Sequence, residues 1–406
     1  MTTMRLRQAI SFFLIFLLSA FALAVDVALD GTHYPLRWGE REPIEDDLVK
    51  PYPPPIWANG YAACFKRGSQ ITLRLIRRQG DPEVQGWKVL YAELRSKVTG
   101  EVYWKHGESR MLGPNETYTL GSVPEFIEWA ELRGSVIMMV GPPSEPEPGG
   151  SETSLLVQTI DRVTEIFVVL DEPKAPMDPA WVSVLRISCQ WARGESTVEG
   201  AARKLTMELH RNGNYNGGEL AYTRYPSDPD TGEYFYLRAY LEDDLGRGRY
   251  WGQCNDFADF LTCLITSVGT PRSVQRTHPL VTIRRITDLP NGNPGYLLVF
   301  ETNPLDAAPT GPSSWDGQSS WAYHQFCLDW ANNEVWDGSI AFILDSFVFG
   351  LPREPDYRNH LVLRYIFLDL MTRQEVRIDE PSFFWQPTPS PSGFIPGVYA
   401  SALPPK

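Results

Sequence analysis

The chain has 406 residues, 43% of them hydrophobic, and a formal net charge of −13. That length is ample for a buried core and suggests two domains, and an acidic balance without basic clusters argues against nucleic acid or anionic lipid as partners. Six histidines in no tight array and the lack of a Cys-x-x-Cys pair leave no zinc signature.

Arg5 and Arg7 precede an apolar run from Ile10 to Phe21, and Ala22-Leu23-Ala24 supplies small residues at a cleavage-site spacing. This reads as a secretory signal over residues 1–24. The run is short for a spanning helix, so the expectation is an exported protein with no membrane span, secreted, periplasmic or at the cell surface. Export places Cys64, Cys189, Cys254, Cys263 and Cys327 where most cysteines pair. Five is odd, so one stays out of a disulfide. If that one is Cys254, the other four allow three connectivities; the alternative is that all five are buried thiols.

Residues 25–60 are Pro-rich, with a Pro51–Pro55 run of PYPPP, and read as an extended segment. From residue 61 the pattern changes. Ser69–Arg78 (SQITLRLIRR) alternates apolar and polar residues; Trp87–Ser96 and Ser135–Gly141 are further strand candidates between Gly and Pro turns. Together with Thr164–Pro173 they predict an antiparallel, sandwich-like β domain over residues 61–173, with a solvated linker at Gly141–Glu152. Asn115–Thr117 is a glycosylation sequon in a eukaryotic host. Helical spacing begins after Pro179, at Ala180–Ala192 and Thr197–Arg211, the second with Glu199 in its first turn. The acidic Leu241–Gly246 loop is a weak candidate for calcium; the bland reading is a solvated charge run. Strand-like runs resume at Tyr296–Thr302 and Trp321–Trp330, and His360–Leu370 with Gln374–Ile378 predicts a closing hairpin. The end, residues 387–406, is a loose Pro/Ser-rich tail.

One helix carries chemistry. Phe257, Leu261, Leu264, Ile265 and Val268 share one face, and Asn255, Asp256, Asp259, Thr262 and Thr266 share the opposite one. Gly269 is placed as a C-cap and Pro271 as a stop. Cys254 therefore stands at the helix N-terminus, where unpaired N–H groups and the helix dipole favour a thiolate and can hold an oxyanion. Asp256 and Asp259 oppose this if close. A nucleophilic cysteine needs a base, and the base an orienting acceptor. His324, in a strand candidate, and Asp337, after a polar turn, are the candidates for those roles. Taken singly, a cysteine in a helix and a histidine in a strand are ordinary core residues; the ordered set is more specific. The hairpin offers two registers. A two-residue Asn332-Asn333 turn pairs residue 328 with 337, leaving Asp337 four residues, about 13 Å, from the level of His324. A longer loop or a bulge places Asp337 opposite His324, and catalysis requires that second register.

These segments resemble the transglutaminase-like core, a branch of the papain-like cysteine enzymes. Trp251–Pro271 (WGQCNDFADFLTCLITSVGTP) is similar to the family's Gly-Gln-Cys helix ending in Gly-x-Pro, Trp321–Phe326 (WAYHQF) to its His strand, and Trp336-Asp337 to its third element. The likeness covers roughly residues 179–343. It implies an α+β fold in which a Cys-bearing helix packs on an antiparallel sheet, over residues 174–386. It further implies Cys254 as nucleophile, His324 as general base and acid, and Asp337 as orienting carboxylate. Gln253, Trp251 and Trp321 are the substrate or oxyanion candidates; packing is the default reading of the two tryptophans, and a plain hydrogen-bonding role is the alternative for Gln253. Two positions depart from the family. Asn255 stands where an aromatic residue often follows the cysteine, and the upstream oxyanion tryptophan has no counterpart beyond Trp191 or Trp251. The implied activity is acyl transfer or hydrolysis at amide, peptide or isopeptide bonds of a protein or peptide substrate, as acyltransferase or cysteine protease, with no cofactor. The alternative is a non-enzymatic binding or assembly module.

Overall fold

The computed structural model describes residues 25–37, 54–77, 83–140, 156–215, 222–224, 234–243, 245, 250–280, 296–302, 305–307, 320–321, 324–329, 331–342, 346–352, 362–369, 375–378, 384–387 and 397–398. The secretory-signal expectation at residues 1–24 and most of the tail lie outside the described residues. The class is α+β. The chain divides into two compact units, one built from residues 1–33, 51–124 and 129–167, the other from residues 34–50, 125–128 and 168–406.

The first unit is all β. Its strands are β1 (Asp26–Asp30), β2 (Tyr61–Lys66), β3 (Gln70–Ile76), β4 (Val84–Ser96), β5 (Val102–His106), β6 (Tyr118–Ser122), β7 (Glu128–Val140) and β8 (Leu156–Val169). One sheet has the order β1-β3-β6; the other runs from the short His33–Tyr34 strand through β2-β8-β7-β4 to β5. The period-two pattern acts as read: Ile71, Leu73 and Leu75 of β3 are buried while the residues between them are not. Residues read as a Pro-rich lead-in are built into both units. Asp26–Asp30 pairs antiparallel with β3, and Leu36–Arg37 pairs parallel with Ala180–Trp181 of the second unit.

The second unit holds four helices among its described residues: α1 (Val182–Trp191), α2 (Val198–Asn212), α3 (Leu237–Glu242) and α4 (Cys254–Ser267). Thr197 caps α2, its hydroxyl oxygen accepting the Gly200 N–H at 3.1 Å. The strands that follow are β9 (Ser273–Leu280), β10 (Tyr296–Thr302), β11 (Leu305–Ala307), β12 (His324–Asp329), β13 (Glu334–Phe342), β14 (Ser346–Pro352), β15 (Val362–Asp369), β16 (Glu375–Ile378) and β17 (Phe384–Pro387). One sheet has the order β11-β13-β12-β9-β17, with β14 also on β13. In another, β15 and β16 form the closing antiparallel hairpin and β10 pairs with β15. Helix α4 is the core of this unit and packs on α1, α2, β9, β12 and β13.

Gly269 follows α4 with φ +91°, a left-handed conformation that glycine adopts without strain, and a Cβ there would strike the Asp171 backbone. The two-faced reading of α4 needs correction. Every residue from Cys254 to Ser267 is buried, the polar stripe as fully as the apolar one. The apolar side chains Phe257, Phe260, Leu261 and Leu264 are fully covered, at about 1.5–3 kcal/mol each. Four of the five polar-stripe residues find acceptors or donors, while Asn255 Oδ1 is buried with no hydrogen-bond partner among the described residues. Thr262 and Thr266 donate back to the Ala258 and Thr262 carbonyls, and the two aspartates find partners outside the helix.

The expected disulfides do not form. All five cysteines are buried thiols. Packing rather than pairing accounts for them: Cys64 lies in β2 of the first unit, Cys189 in α1, Cys254 and Cys263 in α4, and Cys327 in β12. Burial pushes the Cys327 thiol up to about 11 and raises Cys64 and Cys263 well above the ordinary thiol value.

Candidate active site

Cys254 is the first residue of α4, with Gln253 in extended conformation as N-cap. The Phe257 N–H makes the first turn's bond to the Gln253 carbonyl at 3.0 Å. Asp256 folds back so that its Oδ2 accepts the Gln253 N–H at 2.9 Å, one half of a capping box. Gly252 makes room for this: a Cβ there would lie 2.6 Å from the Asp256 Cβ and 2.8 Å from its Oδ2. Thus the glycine ahead of the Gln-Cys pair is a packing requirement of the carboxylate that caps the cysteine's helix. Cys254 is 5% exposed.

His324 opens β12 and Asp337 lies in β13, both buried. His324 Nε2 meets Asp337 Oδ2 at 2.5 Å. The other carboxylate oxygen, Oδ1, accepts the Ser339 N–H at 2.9 Å and the Ser339 hydroxyl at 2.6 Å. Burial works to raise the Asp337 carboxyl, but the His324 charge and hydrogen bond and the two Ser339 bonds outweigh it and hold the group below its ordinary value. An ionised carboxylate accepts, so the proton of the short contact sits on Nε2, and Nδ1 becomes the basic nitrogen of the ring.

The hairpin adopts neither expected register. Cys327 pairs with Trp336, Leu328 with Val335 and Asp329 with Glu334, with a turn at residues 331–333 between the strands. Its cause is Asp329. The Asp329 Oδ1 accepts the Ala331 and Asn332 N–H groups at 3.0 and 3.3 Å, and Oδ2 accepts the Asn332 side chain at 3.0 Å. Asn333 closes the loop at φ +55°. Continued along the ladder, this register sets Asp337 opposite Phe326, one diagonal step from His324 and on the same face, a separation that two side chains can bridge. Regular pairing of β12 with β13 ends at Trp336, and β13 also shifts register against β14 between Trp336 and Ala341, which frees Asp337 from the ladder.

Helix α4 runs beside β12 in the same direction. Gln325 Nε2 donates to Asp259 Oδ1 at 3.1 Å, and the Thr262 hydroxyl meets Cys327 Sγ at 3.5 Å. Cys254 is five residues before Asp259, about 7.5 Å of helix rise. That is little more than two strand residues, whereas His324 is one residue before Gln325, so on this count Cys254 falls about one strand residue beyond the start of β12.

A second cluster lies beside the cysteine. Thr223, in the short Thr223–Arg224 strand, donates its N–H to Asp256 Oδ1 at 2.7 Å. Its hydroxyl lies 2.9 Å from the same oxygen and 2.8 Å from Asp259 Oδ2. Burial pushes the Asp256 carboxyl up to about 6, with N–H bonds from Gln253, Thr223 and Tyr222 and the Thr223 hydroxyl limiting the rise. A raised carboxyl stabilises the fold fully below its unfolded value near 3.9 and loses that contribution as pH rises to about 6. Chemical denaturation of the wild type should therefore show stability from this group falling by on the order of 3 kcal/mol between pH 4 and 6 and flat above. A stability that rises through that window relative to Asp256→Asn would contradict the buried ionisation.

Of the other candidates, Trp251 has a buried Nε1–H with no hydrogen-bond partner among the described residues, three residues ahead of Cys254. It is a donor available to a bound group. The Trp321 side chain lies outside the described residues. So does part of the acidic loop weighed for calcium, whose Asp243 closes α3 in a left-handed conformation. Sequence reasoning missed Ser339, Thr223, Gln325 and the loop-forming role of Asp329. Ser339, two residues after Asp337, carried an Asx-turn signal; the others carried none.

Among the described residues no helix is long and apolar enough to cross a membrane. No family model matches the chain, and no curated protein matches it. Among solved structures, the extended catalytic domain of H. jecorina LPMO9A, also called EG4, is similar at 14% identity and a TM-score of 0.17, over 37% of this chain and 75% of that one. A TM-score of that size defines neither fold nor function.

Proposed function

We propose that the chain is an exported, transglutaminase-like cysteine enzyme acting on amide, peptide or isopeptide bonds of a protein or peptide. The observation that carries this reading is the buried His324–Asp337 pair, at 2.5 Å. In this mechanism the Cys254 Sγ attacks the amide carbonyl, and its proton passes to His324 Nδ1. Asp337 holds the ring through Nε2 and stabilises the imidazolium. The first N–H groups of α4 and the Trp251 indole face the developing oxyanion. His324 then protonates the leaving amine, leaving a thioester on Cys254. Water resolves it in hydrolysis and a second amine in crosslinking, with His324 taking the proton of the incoming nucleophile.

One observation favours a second reading, a non-enzymatic binding or assembly module. Gln325 and Cys327 turn toward α4, and strand alternation sends His324 to the opposite face. Alkylation separates the two. The enzyme reading expects iodoacetamide to modify Cys254 fast near neutral pH, while Cys64, Cys263 and Cys327, with their raised thiols, stay unmodified in the folded protein. His324→Ala should slow that modification about tenfold or more, since the imidazole favours the thiolate. Slow modification indifferent to His324→Ala would leave the module as the better description.

A further inference from the structure

Cys254 has an orphan polar group on either side of it in the chain. Trp251 carries a buried indole N–H and Asn255 a buried side-chain oxygen, neither with a hydrogen-bond partner among the described residues. Asn255 is 1% exposed. An oxygen shut away from water without a donor is destabilising and calls for an explanation. Elsewhere on the polar stripe of α4 each side chain is bonded inside the fold: Asp256 by Thr223, Asp259 by Gln325, and Thr262 and Thr266 by carbonyls of the helix. Asn255 is the exception, and it is the residue next to the thiol.

The helix gives its direction. Asn255 shares a face with Asp259 and Thr262, four and seven residues further on. Asp259 meets Gln325 and Thr262 meets Cys327, so this face lies against β12. Asn255 is four residues before Asp259, about 6 Å of helix rise, or slightly under two strand residues. Counted back from Gln325, that places it within one residue of His324 along β12. Chemistry then assigns the oxygen a use. The first N–H groups of α4 and the Trp251 indole are donors, suited to the carbonyl oxygen of an amide. The amide's N–H needs an acceptor instead, and Asn255 Oδ1 is an acceptor with nothing to accept, on the side of the helix that faces the strand of the base.

We propose that Asn255 is a specificity-determining residue whose Oδ1 accepts the N–H of the amide under attack, so that the site takes amides whose nitrogen carries hydrogen and disfavours esters and tertiary amides. The proposal rests on the reading of Cys254 and His324 as the catalytic pair. As Sγ adds to the carbonyl carbon, the C=O π pair moves to oxygen and the nitrogen becomes pyramidal. Its N–H stays on Asn255, and its freed lone pair takes the proton from His324. The C–N bond then breaks with its electron pair on nitrogen, and the amine departs from the thioester.

Two measurements on the full chain test this. The first compares Cys254 alkylation by 2-chloroacetamide, which carries N–H, and by 2-chloro-N,N-dimethylacetamide, which carries none, with glutathione as the reference for intrinsic reactivity. Wild type should favour the first probe about fivefold or more beyond glutathione, the effect of one buried hydrogen bond. Asn255→Leu and Asn255→Ala should each lose that preference, and a ratio of probes cancels any general effect on the thiol. The second is the urea midpoint, which the loss of an orphan oxygen should raise or leave unchanged in at least one of the two variants. A fall in both means that the oxygen has a partner inside the fold, and overturns the proposal whatever the chemistry of Cys254. Fast, His324-dependent alkylation that ignores the N–H, or a preference that survives both substitutions, overturns the proposal alone. Slow alkylation indifferent to His324→Ala removes the catalytic reading and the proposal with it.

Discussion

Replacing Cys254 with alanine should lower amide-directed turnover by on the order of 10³ or more, as loss of a covalent nucleophile does, while the protein stays folded. The stability half of that expectation follows from position. Cys254 is the first residue of α4 and 5% exposed, so alanine removes one sulfur at a helix end and leaves backbone and cap unchanged. The cost should be about 1 kcal/mol. The Asp256 bond to the Gln253 N–H, at 2.9 Å, does not involve the thiol. The kinetic half follows from the order of events. With no sulfur there is no thioester, and the remaining groups can only polarise the carbonyl and orient water, a residual contribution that survives loss of a nucleophile in such sites. Hydrolysis and amine incorporation should fall together, because both branch from the same acyl-enzyme. Turnover in Cys254→Ala within about tenfold of wild type would remove the nucleophile from the mechanism. Loss of crosslinking with hydrolysis intact would place the hydrolytic chemistry elsewhere on the chain.

Much of the second unit was legible before any coordinates. Period marked α1, α2 and α4, and the Gly269 signal marked the end of α4, because such signals depend only on neighbours a few residues away; the Thr197 cap of α2 was as local but went unread. The polar stripe of α4 was readable as polar but not as buried. Its partners come from far along the chain: Thr223 is 33 residues from Asp256, and Gln325 is 66 residues from Asp259. Amphipathicity reports composition by face, and a helix wrapped on all sides needs partners that periodicity cannot supply. The cysteines show the same divide. Compartment argued for pairing, whereas each thiol was placed by the interior of the element that carries it. His324 and Asp337 were found through order and spacing. Their bond depends on a register that turn propensity, weighed on Asn332 and Asn333 alone, assigned differently.

That register leads to Asp329, where the largest loss of stability is expected. Asp329 serves two structures at once. Its carboxylate accepts from the loop at Ala331 and Asn332, and it pairs with Arg272 Nη2 at 3.1 Å, the two side chains being 4% and 2% exposed. Arg272 also lies over the Trp336 ring, 5.9 Å from its centre. Asp329→Ala leaves a buried guanidinium without its counter-charge, at a cost of about 3–5 kcal/mol, and removes the anchor of the turn that follows it. The competing arrangement is then the two-residue turn on Asn332-Asn333, with residue 328 opposite 337. A slide of that size keeps Asp337 on its face but carries it to about 13 Å from the level of His324. Unfolding midpoints should thus fall steeply in Asp329→Ala, and under conditions where the variant is still folded, Cys254 alkylation should slow as it does in His324→Ala. Asp329→Asn separates the two roles. It retains an acceptor for the loop N–H groups but not the charge, so it should lose stability while keeping the alkylation rate near wild type. If Asp329→Ala loses less than about 1 kcal/mol, or if it alkylates like the wild type, the loop does not control the level of Asp337, and the His324–Asp337 bond must be set by Ser339 and the irregular course of β13 instead.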